Sequence, residues 1–578
     1  MDPRTAAHVL TQIGALMELR GENQFKTRAY QSAARAVLAI ETDDIGPLLH
    51  AGALEKVAGI GPATLSVLRD LVETGDSEHL DRLREDTPEG LLEMLRVPGL
   101  GTSKIHQIHT GLGVDTLQEL EAAARDGRLA RLAKFGPRTA EKILKGIAFL
   151  RETGAYVLYP HAAAEGRRLI GMVAAHPDVI RATISGDLRR RREVVREIVV
   201  VAECRDGVAP AAVAAQLGRA PGVRDVTGGG SPSPRIRLVD GTLLDLHCVT
   251  PAEYAVALWR TTGSPEHVAA VSDVAAARGI ALGEVCAVGA EGIMRIDNEE
   301  ALYAACGLAY IAPELREGLG EVESAAQHVL PSLIENGDIQ GVLHCHSQYS
   351  DGASTIAEMA EAARTRGWKY LGISDHSQSA FYAGGLNREA ILRQHEEIDR
   401  VNAAQGNVRV LKGIEADILP CGRVDYDEAT LDSFDYVIGS VHSRFGMGGT
   451  QMTERVLKAL DDPHLTILGH PTGRLLLTRE AYALDVEAVI EKAADKGIAI
   501  ELNADPHRLD LDWRYLRKAK ERGVAVEIGP DAHSTHSLDN VDFGVGIARK
   551  GWLGREDVLN ARDVDEVLAF AARRRARS

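Results

Sequence analysis

The chain lacks what several protein classes require. Its 578 residues hold six cysteines, Cys204, Cys248, Cys286, Cys306, Cys345 and Cys421, with no CxxC pair. Neither a thiolate zinc site nor a disulfide framework is indicated, and these residues read as reduced and packed. No stretch resembles a signal peptide or a transmembrane span, which predicts a soluble, cytoplasmic protein with no membrane partner. No Ser or Cys nucleophile motif stands out. Positive charge is also short: the formal net charge of -17 argues at first against nucleic acid, which proteins bind through Lys and Arg. That exclusion is weak. Metal-binding carboxylates count as negative until metals cancel them, and backbone amides hold phosphate without any basic residue.

The composition is core-forming, 45% hydrophobic, on a length that predicts several domains. Near the end of the chain stand residues that ligate hard or borderline divalent metals: His344, His346, Asp351, His376, Glu415, His442, His470, Asp531 and His533. Seven short apolar runs, GVLH, YLGIS, VLKGI, DYVIG, TILG, IAIEL and VAVEI, fall among them, most separated by helical-looking segments. Six runs deliver a candidate ligand at or just after their end, whereas IAIEL ends in Asn503. This is the pattern of a βα barrel, in which groups distant in sequence converge on the C-terminal rim of the strands. A lone His at a strand end is more often a structural residue; nine residues in one placement are not. Imidazoles and carboxylates without thiolates suit manganese, zinc or iron.

The strings HCHSQYSDG, SDHS, GIEADIL, GSVHS, GHPTGR and PDAHS resemble the PHP (polymerase and histidinol phosphatase) phosphoesterase family over about residues 339–570. The resemblance implies a distorted (β/α)7 barrel with three divalent metals, manganese foremost, zinc or iron as alternatives. It assigns one metal to His344, His346, Glu415 and Asp531, with Glu415 bridging to a second held by His442 and His470. Asp351, His376 and His533 would hold the third. Clustered metals bind phosphate oxygens and activate water, so the expected reaction is hydrolysis of a phosphate ester, for which no Ser or Cys nucleophile is needed. Arg474, in GHPTGR, is a candidate for holding a substrate phosphate; a solvated surface arginine is the alternative.

Residues 1–150 read as helical. VAGIGPATLSVLRDLVETG (57–75), VPGLGTSKIHQIHTGLG (97–113) and a weaker KFGPRTAEKILKGI (134–147) repeat a glycine turn followed by a helix, whose free N-terminal amides suit an anion. They resemble helix-hairpin-helix motifs that grip the DNA backbone without reading sequence. Gly59, Gly61, Gly99, Gly101 and Gly136 are the candidate DNA contacts, and plain turns between packed helices are the alternative.

SGDLRRRREVVREIVVV (185–201), GTLLDLHCV (241–249), RTTGSPEHV (260–268) and GLAYIAPELREG (307–318) resemble the palm and thumb of bacterial family X DNA polymerases, a nucleotidyltransferase-like arrangement. These polymerases are commonly fused to a PHP domain, so two resemblances point to one chain. The palm departs from the family pattern. Two Asp on alternate residues of one strand would face the same side and share two metals; here the positions hold Glu197 and Val199. Asp245 keeps the third carboxylate. Asp187 replaces a small Ser, Pro265 and Val268 replace the usual Lys and Asn, and Val67 stands where related polymerases carry a lyase lysine. The run Arg189 to Arg192 reads either as a DNA-backbone contact or as a solvated loop, and the terminal RRRARS as a frayed tail.

The expected plan is therefore an N-terminal helical domain (1–75), a second helix-hairpin-helix region (76–150), a degenerate palm and thumb (151–312), a helical linker (313–338) and a PHP domain (339–578). The expected function is a metal-dependent 3′–5′ exonuclease of DNA repair, extending to abasic-site cleavage or 3′-end trimming. It would act on gapped, nicked or primer-template DNA without sequence preference. A gap-filling polymerase, a histidinol-phosphatase-type enzyme and a non-catalytic repair scaffold are the alternatives. The sequence leaves the oligomeric state open.

Overall fold

The computed structural model describes all residues except 2, 41, 43, 75–76, 86, 96, 98–99, 134, 154–155, 239–240, 405 and 577–578. It divides into two compact units, Met1–Ala155 and Tyr156–Ser578.

The first unit is helical. In α1 (Pro3–Leu19) and α2 (Gln24–Leu38), Leu10, Ile13, Met17, Tyr30, Ala33 and Val37 recur at helical spacing and bury one face of each. Further on lie α3 (Pro62–Thr74), α4 (Thr102–Leu112), α5 (Leu117–Arg125) and α6 (Pro137–Thr153). Gly59 makes the first hairpin turn at φ +99°, a conformation open to glycine but strained for other residues. Gly61, Gly101 and Gly136 immediately precede α3, α4 and α6, and a Cβ at any of them would meet no protein atom within 4 Å. Packing therefore does not demand glycine there. Gly99 lies outside the described residues. Val67 is buried in this unit's core.

The second unit begins with a five-stranded sheet of β1 (Val179–Ser185), β2 (Ile198–Cys204), β3 (Val223–Thr227), β4 (Arg235–Leu238) and β5 (Leu243–Val249), in the order β1-β2-β5-β4-β3. Only β2 and β5 pair in parallel. Helices Tyr159–Ala174 and Pro210–Leu217 supply the apolar side chains that pack with it. Helices Tyr254–Thr262, Pro265–Ala276 and Glu299–Ala305 then form a small lobe around Trp259 and Tyr303.

Two basic segments are spent internally. Arg189 pairs with Glu299 at 2.5 Å, and Arg190 bonds Asp187, Glu317 and the Thr262 carbonyl. Arg191 lies over the Tyr159 ring, and Arg192 reaches Glu317 at 3.3 Å. This corrects the solvated-loop reading of the run, which starts in helix Gly186–Arg189 and is tied to other parts of the unit. Lys550, from the barrel, is fully buried and binds Glu317 and the Arg190 carbonyl. Residues 313–338 do not hang free: Leu315, Val322 and Ala325 pack in the lobe's core beside Trp552. RRRARS is likewise no frayed tail up to Ala576, because it continues helix Val564–Ala576. There Arg574 donates to the Leu460 and Asp462 carbonyls and Arg575 to that of Phe434.

The barrel comprises β6 (Gly341–Val342), β7 (Tyr370–Ile373), β8 (Arg409–Asp417), β9 (Tyr436–Ser440), β10 (Leu465–Leu468), β11 (Ala499–Asn503) and β12 (Val526–Gly529). They are parallel and neighbour one another in chain order. Beyond the strands, the first and last come together: His346 N–H donates to the Ala532 carbonyl at 2.8 Å, and Ala532 N–H to that of His344 at 3.2 Å. Leu343, Tyr370, Leu411, Tyr436, Ile438 and Ile467 form one apolar cluster of the barrel. The polar residues gather past the C-terminal strand ends, the face on which barrels of this kind carry their sites.

Candidate metal centre

All nine sequence-selected ligands converge on that face. His344 and His346 follow β6, with Asp351 in the loop beyond; His376 follows β7; Glu415 lies within β8. His442, His470, and the pair Asp531 and His533 follow β9, β10 and β12. Glu415 is the hub. Its Oε1 lies 2.9 Å from His470 Nε2, 3.2 Å from His442 Nε2 and 3.5 Å from His344 Nε2; its Oε2 lies 2.8 Å from His376 Nδ1 and 3.8 Å from His346 Nε2. Asp531 Oδ1 approaches His346 Nε2 at 3.3 Å, and Asp351 Oδ1 approaches His533 Nε2 at 3.4 Å and His376 Nε2 at 3.7 Å. Asp531 (φ 49°) and His470 (φ 23°) occupy left-handed backbone that disfavours side chains, strain of the kind concentrated at functional sites.

The donor chemistry fits cations. His344 Nε2, both ring nitrogens of His346, His376 Nδ1 and Glu415 Oε2 are buried without a hydrogen-bond partner, an arrangement that is costly unless something charged fills it. Outer contacts fix which nitrogen faces inward. His344 Nδ1 donates to Glu501 at 2.5 Å, His442 Nδ1 to Asp417 at 2.7 Å and His533 Nδ1 to the Asp531 carbonyl at 2.9 Å, so each Nε2 presents a lone pair to the centre. Three groups could each hold an ion: His346, Asp351, His376 and His533; His344, His346 and Asp531; His376, Glu415 and His442. His346 and His376 each stand between two groups.

Burial opposes charge at Glu415, Asp531, His442 and His533, yet there the opposite charges around each group outweigh it. Surrounding histidines hold Glu415 and Asp531 well below the carboxylate range, while the carboxylates raise His442 to about 10 and His533 to about 9. Burial, with His376 and His533 nearby, pushes His346 down to about 3. Protons on imidazole are thus the counter-charge when no cation is present, and a divalent metal would displace them.

Sequence reading missed the residues behind this layer. Glu501 Oε1 accepts from His344 and its Oε2 from the His470 backbone N–H. Glu527, its register partner on β12, is fully buried, and burial and then Glu501 raise its pKa well above the ordinary range. Both are carboxylates inside otherwise apolar runs, IAIEL and VAVEI, and that was the available signal. Asn503 donates to Asp531 at 3.0 Å. Arg474 is not a free phosphate contact, nor a solvated arginine: its guanidinium holds Asp512 and the carbonyls of Arg508 and Leu509. It shapes the loop that carries Arg508. Arg508 is the arginine at the centre, its Nε 3.4 Å from Asp531 Oδ2.

Family comparisons agree with this arrangement. Residues 343–505 match the PHP domain, 1–77 a helix-hairpin-helix domain, 91–148 a SAM-like helix-hairpin-helix tandem and 257–317 the DNA polymerase beta thumb. Over 577 residues the chain is 37% identical to the DNA polymerase/3′-5′ exonuclease PolX of Bacillus subtilis, covering 99% of this chain and 100% of that one. The chain belongs to the PolX family. Its PHP domain is a metal-dependent phosphoesterase domain. Shorter matches, over 28% of this chain, join the PolX barrel to probable phosphatases of Syntrophotalea carbinolica and Clostridium acetobutylicum, each 33% identical over 64% and 63% of the relative.

The PolX palm is arranged differently from the barrel. Glu197 stands just before β2 and faces Arg235 at 3.7 Å. Val199 is in register with Asp245 across the β2–β5 pair, and Asp245 faces His247 at 3.3 Å. A cavity of about 490 Å³ opens over these residues, lined also by Asp187 and Arg260. Among the described residues, the groups of three or more possible ligands all lie in the barrel.

Proposed function

We propose that this PolX-family chain is a manganese-dependent 3′–5′ exonuclease of cytoplasmic DNA repair, with abasic-site or 3′-end-trimming activity, whose palm does not polymerise. The single observation that carries the reading is the contrast between the two sites: nine convergent ligands in the barrel, one well-placed carboxylate and a valine in the palm. His344, His346 and Asp531, the hub Glu415 with His442 and His470, and Asp351 with His376 and His533 would hold the metals, whose chemistry is to lower the pKa of water and offset charge on the phosphate. Arg508 binds a phosphate oxygen, and Arg474 positions its loop. The turns at Gly61, Gly101 and Gly136 offer helix N-termini to the backbone of gapped, nicked or primer-template DNA, and Gly99 belongs to the same motif. Segments 1–75, 76–150, 151–312, 313–338 and 339–578 are the functional divisions.

A second reading, a small-molecule phosphatase, is favoured by the names of the barrel's shorter relatives. The two are separated by comparing turnover of a short oligonucleotide with that of a small phosphomonoester by the manganese-loaded protein. The exonuclease reading expects kcat/KM to favour the oligonucleotide, and the reverse preference overturns it.

A further inference from the structure

Phe381 and Tyr382 form the one pair of adjacent large hydrophobic side chains left exposed among the described residues, at 88% and 72%. They lie on a one-turn helix, Phe381–Ala383, within the loop that leaves the metal centre at His376. The Tyr382 ring centroid is 6.2 Å from that of His376 and 6.4 Å from that of His442. Hydrophobic collapse does not explain the pair, since the neighbouring Ala380 and Ala383 fill the buried positions of the turn. Nor is the loop loosely held. Ser377 N–H donates to the Glu415 carbonyl at 3.0 Å, Gln378 N–H to the Tyr426 hydroxyl at 3.0 Å and Ser379 N–H to Asp425 at 3.0 Å. Beyond the turn the Tyr426 hydroxyl donates to the Leu386 carbonyl. The scaffold therefore holds two aromatic faces out to solvent beside the ligands.

We infer that Phe381 and Tyr382 are a stacking platform for the base of the 3′-terminal nucleotide whose phosphodiester lies on the metal centre. The inference rests on the exonuclease reading and deepens it, because it names what makes the substrate a nucleotide. A phosphate and its base are separated by one sugar, the kind of span that divides the Tyr382 ring from His376. Stacking accepts every base, since each has a π face, and therefore suits hydrolysis without sequence preference. A small phosphomonoester without a base gains nothing from such a platform.

The test uses the full-length, manganese-loaded protein and two strands that differ only at the 3′ end, one carrying a normal base and one an abasic sugar. A third strand, with terminal 2-aminopurine and a phosphorothioate at the last linkage, reports stacking by fluorescence quenching. Wild type is expected to prefer the base-bearing end in kcat/KM by roughly tenfold, the scale of one base–aromatic stack, and to quench the probe. Phe381→Leu with Tyr382→Leu should lose both effects, and Phe381→Trp with Tyr382→Trp should keep the quenching. If wild type degrades DNA without preferring the base, or the leucine pair still quenches, the platform is wrong and the exonuclease reading stands. If wild type does not degrade DNA, both fall.

Discussion

Glu501 is not itself an expected metal ligand, yet two of the expected histidine ligands contact it, His344 through a ring nitrogen and His470 through its backbone N–H. Replacing it with Gln leaves the size intact but removes the charge and one of the two acceptor oxygens, so the side chain can no longer accept from both His344 Nδ1–H and the His470 N–H. We expect Glu501→Gln to weaken metal affinity roughly 10- to 100-fold, the usual effect of losing such a partner. Calorimetric titration of the metal-free protein with manganese checks this, and unchanged affinity contradicts it. Arg508 is expected to behave differently. Arg508→Ala should lower kcat/KM on DNA by about 10²- to 10³-fold, as loss of a fixed charge beside a reacting phosphate does, with metal content by elemental analysis unaltered. Added guanidinium ion should restore part of the activity. Loss of metal from the variant would show that Arg508 holds Asp531 in place and does not act on the substrate. Neither residue was legible in the sequence as a site residue. Arg474 and Arg508 are two arginines in the same strand-end region, and only the fold of the loop decides which one reaches the ligands.

Among the elements, the seven strands were legible because their runs are largely apolar, as parallel strands buried on both sides must be, and six of the seven deliver a candidate ligand at or just after their end. The roles of charged segments were not legible. Arg189 and Glu299 are 110 residues apart in sequence, and Arg574 and Arg575 lie 112 to 141 residues from the carbonyls they bond, so a run of arginines reads as solvated until the packing is known. Arg574 is such a case: truncation to Ala leaves the Leu460 and Asp462 carbonyls short of a donor. Buried groups in that position cost about 1–3 kcal/mol, and Arg574→Ala should lower the urea midpoint of the barrel's unfolding; an unmoved midpoint would show that water replaces the donor. His267 gives the lobe a pH dependence. Its Nδ1 lies 2.7 Å from Glu321 and its Nε2 2.9 Å from the Tyr303 hydroxyl, and burial lowers its pKa despite Glu321. A histidine depressed in the folded state binds more protons when unfolded, so stability is fully present above the unfolded pKa near 6.5 and is lost as pH falls below it. Thermal midpoints measured from pH 8 down to pH 5 should decline below that value, and His267→Gln, which does not titrate, should flatten the decline.

In the whole molecule, the chain keeps the PolX family's parts: helix-hairpin-helix domains, polymerase thumb and PHP barrel. The barrel brings all nine candidate ligands to one face, whereas in the palm Val199 is in register with Asp245, where the family pattern has a second carboxylate. The net charge of -17, which superficially speaks against DNA, includes the three carboxylates of the metal centre. We propose that phosphodiester hydrolysis in the barrel, and not nucleotide transfer in the palm, is what this molecule does to DNA. The most direct measurement incubates the manganese-loaded protein with a 5′-labelled primer on a gapped template, with and without the four nucleotides, alongside His344→Ala. The primer is expected to shorten equally in both conditions and to stay intact with His344→Ala. A primer that lengthens when nucleotides are added, or shortening that persists in His344→Ala, would contradict this proposal.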